Sequence, residues 1–149
     1  VKGATTVDSA SGSEVVIRLP SVLGYEHVAV GAAAAYARMH DFSAERIEDL
    51  KTIVAEATTN AVRHGNAGSG DARVVISFTS TADAVIVTVF DEGKGFVAAE
   101  EDPEPQEVRQ DRDRPGGYGL FLIRRLADGV AFRVLADGHA VEMVLYRNP

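Results

Sequence analysis

The feature that most narrowly limits how this chain folds is a pair of adjacent helical patterns followed directly by a pair of adjacent strand patterns. Residues 44–64 place Ile47, Leu50, Ile53, Val54, Ala57 and Ala61 on one face at about 100° per residue. Residues 72–79 and 84–90 are rich in Val and Ile and are joined by a short polar turn, which reads as a hairpin. Upstream, residues 14–19 read as a strand stopped by Pro20, and Ser21 is placed to cap a helix running to about His40. Ser43 is the expected N-cap of the second helix, with Glu45 in its first turn. Downstream, Gly116 to Gly119 open a helix to about Asp128. Strands near 130–135 and 140–146 then turn at Asp137-Gly138. The order β-α-α-β-β-α-β-β lacks the strand–helix alternation of a doubly wound parallel sheet. It predicts an α+β fold, a two-layer α/β sandwich in which a mixed, mostly antiparallel sheet carries its helices on one face.

The chain's 149 residues make one ordinary domain. Residues 1–13, small and polar, read as a disordered lead, and 14–149 as the folded domain. Within it, residues 97–115 are acidic, contain Pro103, Pro105 and Pro115, and show no periodicity. A long unpatterned segment inside a domain is often a lid. The absence of cysteine rules out disulfides, thiolate metal sites and cysteine nucleophiles. A net charge of −7 argues against nucleic-acid binding as the main task, because that binding depends on basic residues neutralising phosphates. No run is long and apolar enough for a bilayer, and the first residues lack a signal-peptide core, so a cytoplasmic protein is expected. The chain begins with Val1 rather than Met, which raises the expectation of a piece of a longer regulator.

Three groups of residues carry candidate chemistry. Glu56, Asn60 and His64 are spaced i, i+4, i+8 along the second helix, beside its apolar face, and His64 is followed by Gly65. An amide oxygen suits Mg²⁺, and a carboxylate one turn away can take a proton from an attacking hydroxyl. Alone, this stripe is equally the flank of a solvated helix. The second group, Asp91 with Gly93 and Gly95, follows an apolar strand directly. A strand-end carboxylate can accept from an exocyclic amine, and glycines permit close approach to a flat base. Alone, it reads more readily as a plain polar turn. The third group, Gly116-Gly117-Tyr118-Gly119-Leu120, begins a helix whose N-terminal N–H groups suit phosphate, with Arg112 and Arg114 just before it. It is not a P-loop, which would carry Gly-Lys-Ser/Thr.

In this order and spacing the three groups resemble the Bergerat ATP-binding fold of the GHKL superfamily. The run Glu56-Ala57-Thr58-Thr59-Asn60-Ala61-Val62-Arg63-His64-Gly65 looks most like the anti-sigma-factor serine kinases. The resemblance covers about residues 14–147. It implies that Glu56 is the general base for an acceptor serine and that Asn60 holds Mg²⁺ against the phosphates of ATP or ADP. It further implies that Asp91 binds the adenine amine, with Gly93 and Gly95 shaping the base pocket. Gly117 and Gly119, with Leu120 after them, would let the helix close on the phosphates, His64 would border the nucleotide, and Arg114 would sit by the terminal phosphate. The implied partners are a sigma factor, which the kinase holds off RNA polymerase, and a STAS-domain antagonist phosphorylated on serine. Such kinases often dimerise through the first helix, where the Ala-rich residues 28–37 serve either a homodimer or ordinary core packing. The acidic segment with Glu100, Glu101, Asp102 and Glu104 departs from the resemblance, since such charge repels a triphosphate unless it faces solvent or Mg²⁺.

Two other readings use the same residues. One is a nucleotide-dependent protein-binding module with little phosphotransfer, which needs Asp91 and Asn60 but not Glu56. The other is the catalytic domain of a sensor histidine kinase, which would require a phosphoacceptor helix pair.

Overall fold

A computed structural model describes residues 13–66, 71–93 and 117–149. The expected lead, apart from Ser13, and the expected lid at 97–115 lie outside the described residues, as do Gly95, Arg112, Arg114 and Gly116. In chain order the elements are β1 (Val15–Pro20), α1 (Glu26–Met39), α2 (Ala44–Asn60), a π turn (Ala61–Gly65), β2 (Arg73–Ser80), β3 (Ala84–Asp91), α3 (Gly117–Leu126), β4 (Gly129–Leu135) and β5 (Gly138–Tyr146).

The strands form one sheet in the order β1-β2-β3-β5-β4, and every pairing is antiparallel. It thus lies at the antiparallel limit of the mostly antiparallel sheet expected. Strand side chains alternate faces, so register decides what shares the core. Ile17, Ile76, Val89 and Val141 align across four strands, and Val85 pairs with Leu145 across two. On the helix side, Ile76, Phe78, Val85, Val87, Met143 and Leu145 are fully buried. Leu50, Ile53 and Val54 of α2 and Ile123 of α3 close over them. The face read from the sequence, Ile47 through Ala61, is buried at all six positions. Ala29, Ala33, Ala34 and Ala37 of α1 are likewise buried within the chain itself, which is the packing role weighed for residues 28–37.

Ser43 caps α2 as expected, its side chain accepting from the Arg46 N–H at 3.2 Å. Ser21 does not cap α1. That helix starts after Tyr25, where no side-chain cap forms, and Gly24 bends the chain with φ 109°. Ser21 is buried: its N–H bonds the Ala72 carbonyl, and its hydroxyl accepts from Asn66 Nδ2 at 3.0 Å. The final hairpin also differs from expectation. Leu135 pairs with Gly138, so the turn residues are Ala136 and Asp137, and Gly138 is the first residue of β5.

One side chain ties the end of the sheet farthest from Asp91 to α2. Arg46 donates from Nε to the Tyr146 carbonyl at 3.0 Å, from one terminal nitrogen to Asp49 at 3.0 Å, and from the other to Asp128. Asp128 in turn accepts from the Tyr146 N–H at 2.7 Å. A guanidinium supplies these directions at once and an ammonium cannot. Arg46→Lys is therefore expected to cost about 1–2 kcal/mol, read as a lower urea midpoint with an unchanged slope.

Candidate active site

Two clusters of the sequence-selected residues form at one end of the sheet. In the first, α3 begins against α2. A Cβ added at Gly119 would lie 2.7 Å from Glu56 Oε2 and 3.3 Å from Asn60 Nδ2. With no side chain at Gly119, the α3 backbone approaches this carboxylate and amide with Glu56 in its present conformation. Asn60 is buried, and among the described residues its Nδ2 has no hydrogen-bond partner. A buried amide left unsatisfied is costly, which marks a position that an external group completes. An amide carries both a donor and an acceptor, so Asn60 can meet either a phosphate oxygen or a cation. Burial lifts the Glu56 carboxyl above the usual glutamate range, and the Arg63 guanidinium pulls partly against that shift. A raised carboxyl is a stronger base once ionised. Leu120 is buried just behind Gly119 and anchors the helix start, while Gly117 is its first residue.

The second cluster surrounds Asp91, the last residue of β3, which is 7% exposed. Its Oδ1 accepts from the Gly93 N–H at 3.0 Å. Two glycines pack against it and a third against one of those. A Cβ at Gly65 would overlap the Asp91 carboxylate, one at Gly138 would overlap the Asp91 carbonyl, and one at Gly93 would overlap the Gly65 carbonyl. Burial pushes the Asp91 carboxyl up, while the Gly93 N–H and the neighbouring His139 hold it down. Gly65→Ala is expected to weaken nucleotide binding at least tenfold, because its methyl and the carboxylate cannot share one place. The check is a titration with a fluorescent ATP analogue, alongside a melting curve to separate misfolding from a blocked site.

Asn66 locks this cluster to the rest of the fold. Its Nδ2 donates to Ser21 and to the Arg73 carbonyl, and its Oδ1 accepts from the Glu92 N–H at 2.9 Å. Its own N–H reaches back to the Ala61 carbonyl at 2.8 Å, an i→i+5 bond. That bond is part of the π turn, so the regular stripe stops at Asn60. His64 lies on the π turn, half-buried, rather than one α-helical turn beyond Asn60. Burial, and then Arg63, lower its imidazole pKa. Such π turns often mark functional sites, and this one delivers Gly65 to Asp91.

Glu56, Asn60 and Gly119 are thus together, and so are Asp91 and Gly93, while Gly95 and Arg114 lie outside the described residues. The sequence reading missed Asn66, Gly138 and His139. Gly138 was visible only as a turn residue, and the other two carried no local signal.

A half-buried carboxylate beside a buried amide, and an aspartate packed against glycine at a strand end, are groups suited to an ATP-binding domain of α+β type. Residues 19–145 match the family described as histidine kinase-like ATPase domain, and the chain belongs to that family. A serine-protein kinase RsbW of Listeria monocytogenes serotype 4a is 34% identical over 139 residues, covering 91% of this chain and 88% of the relative. A serine-protein kinase RsbW of Oceanobacillus iheyensis is 34% identical over 120 residues, covering 78% and 76%. An anti-sigma F factor of Bacillus licheniformis is 29% identical over 119 residues, covering 80% and 82%. No helix among the described residues is long and apolar enough to cross a membrane.

Proposed function

We propose that this protein is a cytoplasmic ATP-dependent serine kinase and anti-sigma factor that transfers the γ-phosphoryl group of ATP to a serine of a STAS-domain antagonist. The observation that carries this reading is the approach of the Gly119 backbone to both Glu56 and the unsatisfied amide of Asn60. The names of the relatives supply the substrate residue and the sigma factor.

Asp91 accepts the adenine amine through the carboxylate oxygen not committed to Gly93. The start of α3, at Gly117 and Gly119, offers N–H groups to the phosphates. The acceptor serine gives its proton to the Glu56 carboxylate as its oxygen bonds the γ-phosphorus, and ADP departs. Among the described residues no group of three or more His, Asp or Glu side chains gathers to hold a metal. Mg²⁺ would instead be held by Asn60 together with the phosphates, neutralising their charge. His64, Gly95, Arg114 and the 97–115 lid enter this reading from the sequence alone, as does a homodimer through the first-helix residues 28–37.

Because Glu56 acts ionised, the transfer rate rises with pH through its raised value. The acid limb of the rate profile is expected at a higher pH than an ordinary glutamate gives. The reading is tested by mixing the protein with ATP, Mg²⁺ and each sigma factor of its organism. Capture of one sigma, reversed by an unphosphorylated STAS protein, supports the partner switch. Failure to capture any sigma counts against the anti-sigma half.

A further inference from the structure

Across the β3–β5 ladder, Asp91 stands directly opposite His139, so the two side chains share the helix side of the sheet. His139 Nδ1 lies 3.0 Å from the Gly93 carbonyl oxygen and 3.7 Å from Asp91 Oδ1. A carbonyl only accepts, so Nδ1 carries the hydrogen in this contact. Gly93 is therefore held at both ends: its N–H by Asp91 and its carbonyl by His139. The Asp91 bond restrains only the Gly93 N–H, and the imidazole contact is what restrains its carbonyl. Gly138, one residue earlier, lets β5 come close enough for the imidazole to reach, since a Cβ there would strike the Asp91 carbonyl.

We propose that His139 is a positioning residue for adenine recognition: its Nδ1–H pins the Gly93 carbonyl and so fixes the orientation in which Asp91 presents its free oxygen to the amine. This rests on the ATP reading above. The His139 contacts fall on Gly93 and Asp91, the groups assigned to the base, so its effect is expected on the base.

The test compares ATP with the triphosphate of purine riboside, which lacks only the exocyclic amine, by calorimetry. Wild-type protein is expected to prefer ATP by about 10- to 100-fold, the range of one hydrogen bond to a charged group. His139→Leu removes the donor at similar volume. It is expected to weaken ATP about tenfold while barely changing the analogue, so the preference shrinks. His139→Asn, whose amide nitrogen can take the place of Nδ1, is expected to restore most of the preference. Should the leucine variant not fold, His139→Val carries the same comparison, being well suited to a strand. An unchanged preference in the donor-free variant, or equal loss of both nucleotides, overturns this inference and leaves the ATP reading standing. A wild-type protein that binds neither nucleotide overturns both.

Discussion

Glu56→Gln is expected to keep ATP affinity within about twofold and to lower phosphotransfer by about a hundred- to ten-thousandfold, the range for removing a general base. Glutamine matches glutamate in shape, so the Gly119 backbone still packs against it. What is lost is the capacity to take the serine proton. The variant also reads the electrostatics of the empty site. A carboxyl raised on folding stabilises the fold while protonated. That contribution is fully present below the unfolded value and is lost as pH rises through the folded one. At neutral pH the ionised Glu56 therefore weighs against the unliganded fold. Glu56→Gln should melt at or above the wild-type temperature there. An inactive variant that melts higher separates loss of chemistry from loss of structure, and parental activity in Glu56→Gln would remove Glu56 from the mechanism.

Asp91→Asn is expected to abolish measurable binding, weakening ATP by about a hundredfold or more. Both carboxylate oxygens are acceptors. One takes the Gly93 N–H and the other is the acceptor for the adenine amine. Asparagine has a single acceptor, so its NH₂ must face either the Gly93 N–H or the amine, donor against donor. The Gly65 backbone lies directly against the carboxylate and the Gly93 N–H holds one of its oxygens, which fixes how the side chain is presented. Binding measured with a fluorescent ATP analogue should be lost while the far-ultraviolet circular dichroism spectrum stays that of the wild type. Near-parental affinity would show that the base is read elsewhere.

These effects depend on features that the sequence revealed unequally. The apolar face of α2 and its Ser43 cap were legible because both are local: one is a period, the other a side chain bonding three residues on. The residues of the two clusters were legible only jointly: each group alone reads as a helix flank or a polar turn, and it is the order and spacing of Glu56, Asn60, Asp91 and Gly119 that carry the resemblance. What was hidden is long-range or backbone-borne. Ser21 looked like a cap, but Asn66, distant in sequence, claims its hydroxyl in the core. The π turn rests on one i→i+5 bond, and hydrophobic periodicity does not register a single inserted residue. Gly138 looked like a turn glycine, whereas its lack of a side chain serves the close passage of the Asp91 carbonyl and moves the turn one residue earlier. His139 became visible only once register set it opposite Asp91.

The protein also has to reconcile stability with function at this end of the sheet. Two partly or wholly buried carboxyls, both raised by burial, and an unsatisfied amide lie within one region. Each weakens the empty fold, and each is relieved by a ligand that brings a cation, a donor or both. Nucleotide with Mg²⁺ is accordingly expected to raise the melting temperature, by mass action on the folded state.

The most direct test of the central claim uses ATP labelled at the γ-phosphate, Mg²⁺ and the purified STAS-domain proteins of the same organism, each assayed with wild-type protein and with Glu56→Gln. The account predicts label on a serine of one STAS protein with the wild type, and none with the variant. ATP binding without transfer to any of them would contradict the kinase claim and leave a nucleotide-dependent binding module in its place.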